Sequence, residues 1–322
     1  VDATAPSITN NTFTQNGGYG AFIINAYINS YSGNTGTGNG TNGIGLQGYV
    51  KANVALSCST SAFPFILLGK ITINDNFTLT LNAGTIIKAG FLNGAYGEIY
   101  VLGTLDVNGT SGSNVVITSI KDDSFGGDTN GDGTDTSPAP GDWYGIDFYG
   151  HNDDDGWGYF DYCRIRYGGN TSTNYDANLS FNRCDGLSYF TNSTSEYSGQ
   201  DGLKIFVSSP LISLSNFKNN NRHGLYCTGD YPAGTSPDII NNTFSDNVSY
   251  GAYISDAYFR SYSGNTGSGN GINGFGVQGS VNANHEWTCG STSFPFILTG
   301  VVTVQNNYIL TINSPAVIKA TS

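Results

Sequence analysis

The sequence predicts an all-β fold, a right-handed parallel β-helix (β-solenoid) with an acidic loop insertion, and three observations predict it. Residues 1–91 return as residues 232–322 at a constant offset of 231 without a gap, and about half of the paired positions are identical. Short apolar segments recur along the chain, each closed by Gly or Asn. Charged residues make up only 11% of the sequence, against about 25% in an ordinary soluble domain, so solvated amphipathic helices are not available to it.

The repeat sets the domain organisation. One continuous solenoid is expected over 1–322, with 1–91 equivalent to 232–322 and 92–231 completing the first copy, including an acidic insertion at 121–161. The chain has no initiator Met and no secretory segment, and reads as a mature or excised piece of a longer repetitive polypeptide.

The strand signals follow in order. Ile71–Ile73, Leu79–Leu81, Thr85–Ile87, Ile99–Val101, Leu105–Val107 and Val115–Ile117 are short segments separated by turn residues. A second pattern has one spacing in three places: Ile8, Phe13, Gly20; Ile212, Phe217, Gly224; Ile239, Phe244, Gly251. The last two sets are 27 residues apart, a coil length. In that frame the aliphatic and Phe side chains stack inward, and Asn and Gly turn the corners. An antiparallel sandwich would also give short strands, but it would not need coil-length recurrence.

Two tracts, FPFILLGKITINDNFTLTLNAGTIIKAG and GEIYVLGTLDVNGTSGSNVVITSIKDD, together with GGDTNGDGTDTSPAPGDWYGI and GNGINGFGVQG, resemble the β-helix segments of large secreted and surface-anchored bacterial proteins. The resemblance implies the fold, export and a repetitive surface context. It implies no catalytic residues, because such segments are defined by coil positions.

Charge excludes some functions. The net charge is −12, with no basic patch for phosphates, so nucleic acid is not an expected partner. No apolar run is long enough to span a bilayer as a helix. The expected location is secreted, extracellular or at a cell surface.

Of 24 acidic residues, 11 lie between Asp122 and Asp161. Among them Asp128, Asn130 and Asp132, followed by Gly133, form the D-x-N-x-D-G core of a calcium loop. The twelfth position is Ala139, which excludes an EF-hand. Outside oxygens are then needed, and Thr134, Asp122, Asp123, Asp135 and Asp142 are the candidates. Calcium is the expected cofactor; the alternative is an Asx-turn loop jutting from a coil. A second acidic group, Asn152–Asp155, reads as an exposed turn or a weaker ion site.

Cys163, Cys184 and Cys227 are spaced by 21 and 43 residues, near one and two coils. They are disulfide candidates between coils, or else small buried stack residues. Cys58 and Cys289 are repeat equivalents. No zinc-ligand spacing occurs.

The competing function is a polysaccharide lyase or binding module. Arg164 and Arg166 alternate along one strand and share a face. A groove of Asp161, Arg164, Arg166 and Lys204, with Asp153–Asp155 supplying calcium, is the lyase hypothesis; ordinary surface charge pairing is the alternative. His151, His223 and His285 lack triad partners, and His285, which replaces Val54 of the first copy, is expected at the surface. The Gly-rich stretch Gly33–Gly45 lacks P-loop residues. Sequons stand at Asn10, Asn39, Asn76, Asn108, Asn170, Asn178, Asn192, Asn241 and Asn247, a number expected by chance in an Asn- and Thr-rich chain. Tyr19, Tyr27 and Tyr31 return as Tyr250, Tyr258 and Tyr262 and suit either coil packing or a sugar-facing surface. The leading expectation is a non-enzymatic structural protein of a surface layer, filament, sheath or adhesin. It would associate end to end, because open strand edges invite axial stacking, with carbohydrate as a further partner.

Overall fold

The structure, a computed structural model, describes residues 5–58, 62–150, 156–170, 176–184, 187–229, 237–255, 261–281 and 284–320, apart from the side chains of residues 25, 26 and 261. His151, Asn152, Asp153–Asp155 and Tyr258 lie outside the described residues.

The chain winds into a parallel β-solenoid of about 11 coils with no helix among the described residues. Each coil gives one strand to the first sheet, whose twelve strands lie in sequence order from Ile8–Thr9 to Leu310–Ile312. The strand of Asp238–Ile240 is ninth in that order, so the 231-residue repeat spans eight coils, about 29 residues each. The second and third sheets merge where long strands such as Thr41–Val50 and Phe65–Ile73 bend from one into the other.

Inward side chains stack in register along the axis. One column runs Ile71, Ile99, Ile146, Leu179, Leu203, Leu225, Ala252, Phe275, Phe296, Ile318. Ile212 and Phe217 align with Ile239 and Phe244, and all four are fully buried. The Phe rings form an internal stack, Phe190 to Phe217 at 5.7 Å, Phe217 to Phe244 at 5.2 Å and Phe244 to Phe294 at 5.5 Å. Each contact adds aromatic attraction to apolar burial.

One short column ends in each copy, at Thr35–Thr37 and Thr266–Ser268. Phe63 and Phe294 fill the space beneath them. A Cβ on Gly36 or Gly267 would lie 2.2 or 2.4 Å from those rings, so both positions require glycine. The Gly-rich tract is therefore a packing surface for a phenylalanine.

The corners are held by side-chain ladders. At the corner between the first and second sheets, the backbone N–H groups of Cys163, Ser193, Ser215 and Asn242 donate in turn to Ser193, Ser215, Asn242 and Asn265 of the next coil. At the following corner Ser198, Asn220 and Asn247 donate to Asn220, Asn247 and Asn270. The same asparagines send their own N–H to carbonyls of the preceding coil, as Asn247 does to Phe217 at 3.0 Å. A buried corner has no water to satisfy its backbone, and these amides supply both a donor and an acceptor. Asn39, Asn170, Asn178 and Asn247 are buried, so four of the nine sequons cannot carry a glycan in the folded chain.

Two expectations are corrected here. His285 is buried, 8% exposed, as is Val54 at 6% in the first copy; the position belongs to the core edge and the surface assignment was wrong. The five cysteines are free thiols, and Cys163, Cys184 and Cys227 do not stack on one another. Cys163 aligns with Val115 in the second sheet, Cys227 with Ile205 and Ile254 in the third, and Cys184 sits past the strand Ala177–Asn182. Spacings of 21 and 43 do not equal whole coils here because coil lengths vary. Tyr31 and Tyr262 pack in the core, whereas Tyr19 and Tyr250 lie on the outer surface, half-buried.

Candidate functional site

Polar chemistry gathers in two places, one outside the second sheet and one outside the third. On the second sheet the outward row is Lys88, Thr118, Arg166, Glu196, Lys218. The extension between the strands Val115–Ser119 and Gly145–Tyr149 lies across it instead of jutting from its coil. The extension is also shorter than the expected 121–161 span. Trp143 is fully buried, and the strands Gly145–Tyr149 and Trp157–Asp161 are regular parts of the core.

The extension is held down by charge. Asp122 accepts from Arg166 Nη1 at 2.6 Å and from Thr118 at 2.5 Å. Glu196, fully buried, accepts a hydrogen bond from Arg164 Nε at 2.5 Å and forms ion pairs with Arg166 Nε at 2.7 Å and Lys218 at 3.4 Å. Phe125 lies over both guanidinium groups at 5.4 and 5.2 Å. Farther along, Lys88 donates to the Gly127 carbonyl at 2.6 Å, and Thr129 accepts the Asn42 N–H at 2.8 Å. Burial pushes Lys88 down to about 8, opposed by Asp123, Asp122 and Asp128.

Of the expected calcium ligands, Asp123, Asp128 and Asp132 come together, each offering an oxygen within 4.8 Å of the others. Asp128 accepts the N–H groups of Gly131, Asp132 and Gly133 at 2.8, 3.1 and 2.9 Å. Asn130 Oδ1 is buried without a hydrogen-bond partner, while its Nδ2 donates to Asp132. Desolvation first, then Asp128, Asp132 and Asp122, raise the Asp123 carboxyl, against Lys88. Asp122 is not in the group, since Arg166 and Thr118 occupy it. Asp135 is not in the carboxylate group either, and Asp142 is bound by Lys121 at 2.8 Å and Ser119 at 2.6 Å. Asp128, Asn130 and Asp132 on alternate residues, with the Asp123 carboxylate beside them, are oxygen donors of the kind a hard cation takes.

The proposed groove of Asp161, Arg164, Arg166 and Lys204 does not form. Arg164 and Arg166 do share a face, but they lie on the second sheet, Asp161 ends a first-sheet strand and Lys204 is on the third. Asp161 accepts from Thr191 and Asn192 at 3.2 and 2.8 Å.

The third-sheet row is Tyr100, Asp147, Ser180, Lys204, Tyr226, Tyr253. Asp147 and Asp176 line one shallow hollow with Tyr144, Ala177 and Ser180. Burial, then Glu98, pushes Asp147 up to about 7. Lys204 pairs with Asp176 at 2.7 Å, and Arg222 forms a bidentate pair with Asp201. Burial lifts Asp201 to about 6, against Arg222. His223, held down to about 4 by burial and Arg222, accepts the Tyr250 N–H and stacks on Tyr253 at 5.2 Å. Sequence reasoning named Lys204 only within the groove that does not form, and His223 only as a histidine without a triad partner. It missed Asp147, Asp176 and Asp201, whose only signal is a register that needs the coils placed.

The fold defines the class of the molecule, a parallel β-solenoid protein. Within it, residues 48–197 match the family model described as a pectate-lyase-like beta helix domain. No curated protein and no solved structure matches the chain.

Proposed function

We propose that this chain is a stretch of an extracellular, non-enzymatic structural solenoid, part of a surface layer, filament, sheath or adhesin, whose repeated coils are themselves the functional object. The observation that carries this reading is the equivalence of buried polar bonds eight coils apart. Asn39 and Asn270 donate to Phe13 and Phe244 at 2.9 Å each, and Cys58 and Cys289 accept from Ile86 and Val317 at 3.3 and 3.4 Å. Selection on a rod would keep such packing positions, whereas selection on one active site would not keep them twice. The strongest cationic pair is also spent on structure: Arg166 is 9% exposed and bound to two carboxylates.

End-to-end association is part of the proposal. Parallel coils pair edge to edge along the axis, and a second copy stacked on that axis would continue the same pairing. Calcium is proposed at Asp123, Asp128 and Asp132, with Asn130, as an ion that fastens the extension.

A second reading, contact with polysaccharide, draws support from the matched pectate-lyase-like segment. The two readings separate in one experiment. Uronate and neutral polysaccharides are incubated with the protein, with and without calcium, and chain ends are counted. We expect none to be released. Calcium-dependent cleavage lost in a folded Arg164→Ala protein would overturn the structural reading.

A further inference from the structure

The first sheet carries no lysine or arginine on any of its twelve strands. The cations stand instead on the outer rows of the other two sheets, Lys88, Arg166 and Lys218 on the second and Lys204 on the third. In the first-sheet strand Trp157–Asp161, Gly158 and Phe160 are buried, so Trp157, Tyr159 and Asp161 point outward. One outward row runs in register through Asp106, Tyr159, Tyr189, Leu211 and Asp238. Within it the Tyr159 and Tyr189 rings lie 5.3 Å apart, and Trp157 flanks Tyr159 at 6.5 Å. Leu187 stands two residues before Tyr189, as Trp157 does before Tyr159; it is 79% exposed and Leu211 is 39% exposed. Together they form an apolar patch rich in the aromatic residues that protein interfaces favour.

Carboxylates bracket the patch. Asp106 lies one coil before Tyr159 and Asp238 one coil after Leu211, while Asp161 lies two residues along the strand from Tyr159. Among the described residues no cationic side chain pairs with Asp106 or Asp161. Their side-chain partners are neutral, Asn108 on Asp106 at 2.8 Å, and Thr191 and Asn192 on Asp161 at 3.2 and 2.8 Å. Burial first, then Asp106 and Asp161, raise the Tyr189 phenol, so both carboxylates act on the middle of the row.

Length and charge together select the partner. From Asp106 to Asp238 is four coil steps, about 19 Å at about 4.8 Å each. An extended polypeptide advances about 3.3 Å per residue and turns alternate side chains to one face. Its residues i and i+6 therefore stand about 20 Å apart on one face, with i+2 and i+4 between them. We infer that this row is a docking surface for an extended polypeptide segment laid along the solenoid axis, with a Lys or Arg at each end over Asp106 and Asp238 and apolar residues between over Tyr159, Tyr189 and Leu211. The inference goes beyond the structural reading above, and neither calcium nor polysaccharide enters it.

Fluorescence anisotropy of labelled nine-residue peptides with the full chain tests it, at about 0.15 M salt, where only charges within about 8 Å of one another interact strongly. One peptide has Lys at its second and eighth positions and Val at its fourth and sixth, with Thr and Gly elsewhere. A shuffled peptide of the same composition brings the two Lys together. The variants are Asp106→Asn with Asp238→Asn, and Leu187→Ser with Leu211→Ser. Asp135→Asn with Asp246→Asn, both exposed and off the first sheet, makes the same change in net charge as the first variant and is the control. Melting temperatures check folding, and Leu187→Ser alone serves if the double variant melts lower. We expect the spaced peptide to bind the native chain and the control alike, and each patch variant about tenfold more weakly. The shuffled peptide should bind the native chain about tenfold more weakly than the spaced one. Patch variants that bind as the native chain does overturn the row. A shuffled peptide that binds as tightly, or an equal loss in the control, overturns it in favour of diffuse charge attraction. A glucosamine oligomer that binds more tightly than the spaced peptide, and loses that binding in the patch variants, overturns the polypeptide partner. Binding of neither peptide overturns the proposal.

Discussion

Asn34 and Asn265, one repeat apart, make the same two bonds. Each sends its side-chain N–H to an isoleucine carbonyl of the preceding coil, Ile8 at 2.8 Å and Ile239 at 2.7 Å, and each accepts a backbone N–H, from Asn11 at 3.0 Å and Asn242 at 2.9 Å. A solenoid corner is where the sheet ladder stops and the backbone is still buried. An asparagine there replaces water, and coils stack only if the next one carries a matching side chain.

The ladder should therefore cost stability when cut. Asn247→Ala leaves the Phe217 carbonyl and the Asn220 N–H without their partner in a buried corner, a loss of about 1–3 kcal/mol. Val248→Ala, at an exposed position in the same coil, should stay within about 0.5 kcal/mol of wild type. Urea unfolding of the two variants checks the contrast.

The extension over the second sheet should depend on Arg166 more than on Arg164. Arg166→Ala removes the buried cation shared by Asp122 and Glu196, leaving Glu196 to Arg164 and Lys218 and Asp122 with no counter-charge in contact among the described residues, and should cost about 3–5 kcal/mol. Arg164 is 32% exposed and its loss should cost less. Limited proteolysis should show cleavage within 121–142 in the Arg166 variant before the coils themselves are cut.

Calcium should raise the melting temperature of the native chain in proportion to the logarithm of its concentration above the dissociation constant. Asp128→Ala and Asp132→Ala should abolish that rise, and Asp135→Ala should keep it. A melting temperature indifferent to chelator and to both substitutions would remove the ion.

The Asp147 carboxyl, pushed up to about 7 by burial and Glu98, should make stability fall as pH rises. Between about pH 4, where the unfolded carboxyl titrates, and about pH 7 the folded state holds a proton that the unfolded chain has released. Ionisation above that window is a cost. Asp147→Asn cannot ionise, so its stability relative to wild type should grow from about pH 4 to about pH 7 and level off above. His223 acts oppositely, since an imidazole held down to about 4 loses its contribution as pH falls from about 6.5. It is present in both proteins and cancels in the difference, which urea unfolding at about pH 5 and about pH 8 measures.

The axial architecture was legible because its signal is local. Ile212, Phe217 and Gly224 sit within one coil, so their spacing survives in the sequence, and the Gly36–Phe63 contact lies inside the repeated tract. The site rows were not legible because they cross coils of unequal length. Along Tyr100, Asp147, Ser180, Lys204, Tyr226 and Tyr253 the intervals are 47, 33, 24, 22 and 27 residues, and no periodicity reveals that row. The D-x-N-x-D-G tract was readable as a loop, but its outside partner was not. Asp123 joins it, while the adjacent Asp122 is claimed by an arginine 44 residues away.

The central claim is that the repeat adds length along one axis. Electron microscopy of the chain beside a version lengthened by one further 231-residue copy tests it directly. The account predicts a rod that grows by eight coils, about 38 Å, at constant width. A particle that instead widens in all directions, or that folds the extra copy back beside the first, would contradict it.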